Sequence, residues 1–242
     1  MIKFFRKIRQ NLILENKTSK YFKYAIGEIV LVVIGILIAL NIAEWNNTRH
    51  DNKIEIRLLK ELHKGVSEDL KKFNKELEIT NNCIYNLIEL DSLLKLDVPV
   101  ANEHHYKLFG NVYGMRGLNL NKALYEDLKS TGFGVIKEDK LRSQIIKVFE
   151  DNYPYIEGFK QIELIVNQVN RPYYLTNFIE LKFKKYAKPK DFQTLWEDTY
   201  YKNIVNYRLT SLQINQQTYY PKTIHELKIL LNLIEQYLKN KI

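Results

Sequence analysis

The sequence predicts an all-α protein: a single N-terminal transmembrane helix followed by an extracytoplasmic antiparallel helical bundle. Three observations predict it. Residues Ala25 to Ala43 hold only two strongly polar side chains, Glu28 and Asn41. The chain before them is crowded with bases. The chain after them repeats apolar residues at intervals of three and four, and no strand-like alternation of any length interrupts that pattern.

The first segment, residues 1–20, reads as a basic amphipathic stretch on the cytoplasmic face. Ile2, Phe4, Phe5, Ile8, Leu12 and Leu14 alternate with Lys3, Arg6, Lys7 and Arg9, a pattern suited to the headgroup layer. A solvated tail is the alternative. Residues 21–45 form the span. As a helix, the stretch from Ala25 to Ala43 covers about 28 Å, close to the hydrocarbon thickness of a bilayer. Lys20, Tyr21, Lys23 and Tyr24 at one end and Trp45 at the other stand where amphipathic and basic side chains anchor to the two interfaces. A basic flank beside an apolar span stays in the cytoplasm, which places the bulk of the chain across the inner membrane, in the periplasm. A cleaved secretory signal is the rival. Its apolar core would be shorter and would end in a small-x-small site, whereas Asn41-Ile42-Ala43 has the wrong first residue.

At about 100° per residue, Gly35 and Ala39 fall within some 20° of Glu28, and Ala43 lies a little further round. Gly35, Ala39 and Ala43 have the spacing that lets two helices approach closely in lipid, which predicts self-association or pairing with another membrane protein along this face. Glu28 lies about one turn inside the cytoplasmic end, where its carboxylate can reach the interface, Lys20 or Lys23; a proton or ion relay is the alternative role.

The chain has 242 residues and a net charge of +9, but seven bases against one acid before Glu28 account for most of that excess. The remainder carries only a small positive balance, so the basic character reports topology and argues against nucleic acid, which needs a basic stripe on the folded part. The roughly 195 residues beyond the span are enough for one domain with a real core. Cys83 is the single cysteine, so no internal disulfide forms, and its helical setting suits a small buried hydrophobe.

Residues 46–96 continue as a long amphipathic helix. Leu59, Leu62, Val66, Leu70, Phe73 and Leu77 carry the stripe, and Ile84 and Leu87 extend it. Asn46-Asn47-Thr48 is a candidate break before it. The stripe serves either a coiled coil between subunits or packing within the domain, the second being the default. The opening MIKFFRKIRQ, the segment ENKTSKYFKYAIGEIVLVVIGILIALNIAEWNN, and NKALYEDLKSTGFGVIKEDKLRSQIIKVFE together resemble an uncharacterised family of Bacteroidetes single-pass membrane proteins. The likeness is close over the first fifty residues, moderate in the central segment, and fades after about residue 155. It implies one N-terminal span and a helical extracytoplasmic domain, and it implies no activity.

Residues 97–242 hold the rest of the domain. Asp97 to Gly117, with Pro99, Gly110, Gly114 and Gly117, reads as a loop that can hold a short helix. His104 and His105 are adjacent and point apart, a poor metal pair. Asn119 or Asn121 can cap a helix through Lys129, and Gly132 suits the turn after it. A second helix starts near Glu138-Asp139 and buries Leu141, Ile145, Val148 and Phe149. Glu126 and Asp127 next to Tyr125 point apart on a helix and read as surface charge. Ile156, Phe159, Ile162, Ile165 and Val169 form the next apolar run, with Pro172 expected to kink or end it. Lys188-Pro189-Lys190-Asp191 marks a boundary, with Asp191 capping a helix that carries Leu195, Trp196, Tyr200, Ile204 and Leu212. Thr223 to Glu226 reads as a capping box opening the last helix. The tyrosine pairs Tyr173-Tyr174, Tyr200-Tyr201 and Tyr219-Tyr220 are expected to place one ring inward and one outward.

No HExxH, nucleophile elbow or phosphate loop is present, so no catalytic, cofactor or metal residues are assigned and the protein is not expected to be an enzyme. The expected function is a membrane-anchored scaffold or interaction protein of the cell envelope. The alternative is an extracytoplasmic ligand-sensing module that signals through a separate partner.

Overall fold

The computed structural model describes residues 18–98 and 102–241, so the predicted amphipathic segment through residue 17 lies outside the described residues. They are mostly helical and fall into two compact units, divided along the chain between Glu55 and Ile56. The first helix, α1, is Thr18–Leu93. From Ile29 to Leu40 it presents an unbroken apolar surface, with Ile29 63 % and Leu40 60 % exposed, and the helix is long and apolar enough to cross a membrane. The candidate break at Asn46-Asn47-Thr48 is not used, and the helix runs through it. Polar residues of modest helix propensity cost only tenths of a kcal/mol each, and no glycine or proline stands between Gly35 and Gly65 to end the helix.

In the second unit α1 is followed by α2 (Glu103–Phe109), α3 (Ala123–Thr131), a 3-10 turn (Phe133–Val135) and α4 (Asp139–Ile146). A π-helical segment, Lys147–Asn152, joins α4 to α5 (Tyr153–Asn177). Strands β1 (Phe178–Lys182) and β2 (Tyr186–Pro189) then form an antiparallel hairpin. After α6 (Phe192–Glu197) and α7 (Thr199–Leu212), a second π-helical segment, Gln213–Gln217, leads into α8 (Thr218–Lys241).

The two π segments have a common cause in the sequence. A proline inside a helix clashes with the carbonyl four residues earlier and leaves it without an amide donor. For Pro154 that residue is Glu150 and for Pro221 it is Gln217, and both lie inside the π segments. The wider turn absorbs the missing donor and lets the helix continue. The expected capping box at Thr223–Glu226 is therefore overturned. Thr223 Oγ1 donates to the Tyr219 carbonyl at 3.1 Å, and Glu226 accepts from Gln144 Nε2 at 2.8 Å and Lys147 Nζ at 2.9 Å. Pro172 likewise lies inside α5 without ending it.

The hairpin corrects the expectation of no strands. β1 alternates only briefly, and pairing with β2 supplies hydrogen bonds that no sequence period announces. The helix predicted after Asp191 is two helices: Asp191 caps α6 by accepting from the Thr194 amide, and Asp198 caps α7 by accepting from the Tyr200 amide.

Leu59, Leu62, Val66, Phe73, Ile84 and Leu87 of α1 are buried inside this unit, so the stripe packs against its own domain. Asp69 and Thr80, eleven residues apart and hence nearly on one face, add polar contacts. Asp69 accepts from Tyr153 Oη at 2.9 Å and the Asn121 amide at 3.3 Å, and Thr80 donates to Gln216 Oε1 at 2.9 Å. Tyr153 directly follows one π segment and Gln216 lies in the other, so both irregular turns aim a polar group at α1. Each tyrosine pair buries one ring, Tyr174, Tyr201 and Tyr220, but only Tyr200 among their neighbours is exposed, Tyr173 and Tyr219 being half-buried. Cys83 is buried, its thiol 3.6 Å from the Asn111 carbonyl.

Candidate functional site

The residues singled out for helix association lie on α1. Gly35, Ala39 and Ala43 are exposed, Glu28 is half-buried, and a Cβ added at Gly35 would meet nothing within 4 Å. Lys23 is exposed, and Trp45 is exposed with the Arg49 guanidinium 5.8 Å from its ring centre. Lys20, Tyr21 and Tyr24 belong to the helix, but their side chains lie outside those described.

The second unit holds a site that the sequence did not single out. It is an open cavity of about 460 Å³ between α5, the Tyr113–Met115 loop and the turn of the hairpin. Tyr113, Leu164 and Phe183 supply apolar walls, while Arg171 and Lys184 bring positive charge to the lining. Glycines shape it. Gly114 has φ +121°, and a Cβ there would stand 2.9 Å from Lys184 Cγ. Lys184 itself adopts a positive φ of 65°, which costs a residue with a side chain about 1 kcal/mol but turns the hairpin so that Phe183 and Lys184 reach the cavity. Phe183 packs at 5.2 Å from Tyr113, and Tyr113 stacks on Tyr174 at 4.5 Å.

Behind the cavity, a buried network fixes the loop. Arg208 of α7 pairs with Glu163 of α5, both almost fully buried, and Arg208 Nη2 donates to the Gly114 carbonyl at 2.9 Å. Glu163 Oε2 accepts from the Arg116 amide at 3.0 Å, and Asn167 Oδ1 accepts from the Gly114 amide at 2.9 Å. Arg116 is buried, and its Nε finds no acceptor among the described residues. Burial lifts the Glu76 carboxyl above its usual range against the pull of nearby Arg116 and Lys184. Burial and then Arg116 push the Lys184 ammonium below its usual range. Arg116, Lys184 and Arg208 thus lie among Glu76 and Glu163, and Arg171 brings a further cation to the cavity lining, an excess of positive charge. The only hints in the sequence were Gly110, Gly114 and Gly117, since Glu163 and Arg208 look like ordinary surface residues on their helices.

No group of His, Cys, Asp and Glu side chains able to hold a metal ion occurs among the described residues. His104 Nε2 meets Glu89 at 2.7 Å and His105 Nε2 meets Asn102 at 3.1 Å. Tyr125 donates to Glu150 Oε1 at 2.7 Å, and Lys129 reaches the same oxygen at 2.9 Å; these bonds hold the Glu150 carboxyl below its usual range. Burial, followed by that hydrogen bond, raises the Tyr125 phenol. Because the folded-state pKa of Glu150 is depressed, its contribution is present above the unfolded value and is lost as pH falls through the folded one. Tyr125→Phe is expected to move the Glu150 titration up toward an ordinary glutamate, read by carboxyl carbon NMR; an unmoved titration would show that Tyr125 does not hold this carboxylate.

These features define a mostly helical protein with one candidate membrane helix and a cationic, apolar-walled cavity. Over residues 28–113 the chain is similar to a family of unknown function (DUF6090). That stretch takes in most of α1 and all of α2 and ends at Tyr113, the first residue of the cavity wall. The opening through Gly27 and the central segment from Asn121 onward, which also carry the resemblance, lie outside it. No curated protein and no solved structure matches the chain.

Proposed function

We propose that this is a single-pass inner-membrane protein, as the likeness to Bacteroidetes membrane proteins implies, with a cytoplasmic N-terminus and an extracytoplasmic antiparallel helical bundle that docks a partner protein. The face of Glu28, Gly35, Ala39 and Ala43 is the corresponding contact within the lipid, with a second copy or another membrane protein. Exposed apolar side chains from Ile29 to Leu40 support the anchor, and the basic leader supports the orientation.

The observation that carries the docking role is an apolar surface on α5 and α7. Ile156 and Phe159 are buried, but the rest of that predicted stripe turns outward, with Ile165 60 % and Val169 63 % exposed. The buried face continues instead through Glu163, seven residues from Ile156, and Tyr174. Ile165 and Val169 share a groove of about 340 Å³ with Tyr200 and Tyr207 of α7. A contiguous apolar, tyrosine-rich patch of this kind marks protein–protein contact.

The test is a photocrosslinking amino acid at Val169 in the full chain in its native membrane, with an equivalent probe at half-buried Lys202, outside the groove, as control. A discrete adduct from Val169 and none from Lys202 is expected. Loss of that adduct on Tyr207→Asp, with the melting temperature unchanged, completes the result. Equal, diffuse adducts from both positions would end the docking proposal.

A further inference from the structure

The geometry points to the cavity between Tyr113, Phe183 and α5 as a binding site for a small organic carboxylate with an apolar body. This goes beyond partner docking, and it rests on different residues. The volume, about 460 Å³, lies within the range of small-molecule sites. Its walls divide the ligand's chemistry. Tyr113, Leu164 and Phe183 offer rings and a branched side chain to a hydrocarbon or aromatic body. Arg171 and Lys184 offer charged donors to a carboxylate, and neither forms an ion pair with an acid among the described residues.

The surroundings reinforce an anion. Glu163 is committed to Arg208 and the Arg116 amide, and Glu76, the other acid whose charge reaches Lys184, is set against Arg116 as well as Lys184. Arg116 beside it retains a buried Nε without an acceptor. Asn167 is committed to the Gly114 amide and the Glu163 carbonyl, so the cationic side chains and Gln168 remain to grip a ligand. An inorganic anion would satisfy the charge and leave the rings uncovered. A neutral amphiphile would cover the rings and leave the cations unmatched. A single carboxylate on an apolar body meets both demands.

The hypothesis is tested with the full chain in lipid nanodiscs, empty nanodiscs serving as the partition control. Calorimetry compares 4-phenylbutyrate with its neutral amide and with inorganic phosphate. Saturable binding of 4-phenylbutyrate is expected, with the amide and phosphate each weaker by about tenfold or more, the factor one charge-assisted contact or the buried apolar body supplies. Arg171→Gln combined with Lys184→Gln should weaken 4-phenylbutyrate by at least about tenfold and leave the amide unchanged. Both side chains are exposed, so the melting temperature should stay that of the parent. Equal binding of acid and amide, equal binding of phosphate, insensitivity to the double replacement, or no binding above empty nanodiscs would each overturn the assignment.

Discussion

Glu163→Gln is expected to destabilise the helical unit by about 3–5 kcal/mol, because it leaves the Arg208 guanidinium buried without its counter-charge. The substitution hardly changes volume, so a cavity does not contribute. Glu163 Oε1 pairs with Arg208 and Oε2 accepts from the Arg116 amide, while Arg208 also holds the Gly114 carbonyl. The loop over the cavity, α5 and α7 therefore lose one shared anchor. For a unit of this size the loss should appear as a fall of about 10 °C in the midpoint of thermal unfolding followed by circular dichroism. Replacing both partners, with Glu163→Gln and Arg208→Met, should recover much of the loss, since no unpaired charge remains. A single replacement with no effect on the midpoint would mean that the pair is solvated.

Gly110→Ala is expected to cost about 2–3 kcal/mol through overpacking. A Cβ at this position would stand 2.1 Å from the Tyr186 amide nitrogen and 2.5 Å from the Lys185 carbonyl carbon. Those are backbone atoms of the hairpin, so no rotamer change relieves the clash. The hairpin must move away from α2, carrying Phe183 and Lys184 out of the cavity. Gly158→Ala is the control: nothing lies within 4 Å of the added Cβ, and α5 should gain about 0.5–1 kcal/mol from the better helix former. Denaturant unfolding of the two variants should shift the midpoint in opposite directions. A neutral Gly110→Ala would mean that the hairpin does not rest on α2.

The same two regions show how far the sequence was legible. Helices announced themselves where periodicity and caps coincide: Leu141, Ile145, Val148 and Phe149 are buried as their spacing predicts, and Asp191 caps the helix it precedes. The long apolar run of α1 was equally plain. Legibility failed where a tertiary contact replaces a local rule. Thr223 to Glu226 reads as a capping box that opens a new helix, but the π turn ahead of Pro221 keeps α7 and α8 continuous. Phe178 to Pro189 alternates too briefly to announce strands, and its pairing is visible only once Lys184 turns the chain back. The candidate cavity was hidden for a similar reason. Glu163 and Arg208 are 45 residues apart, and their partnership exists only when α5 and α7 meet. The glycines at 110 and 114 look like plain loop residues in the sequence, whereas their role is to admit the hairpin and the Lys184 side chain.

The central claim, that residues 21–45 thread the membrane once and leave the helical unit outside the cytoplasm, is tested most directly by thiol accessibility. Cys83 is too buried to report, so the probe is Tyr85→Cys in a Cys83→Ala chain, Tyr85 being 69 % exposed. A membrane-impermeant maleimide applied to intact spheroplasts should label this position as fully as it does after lysis. Labelling that requires lysis, or recovery of the chain in the aqueous fraction without detergent, would contradict the account.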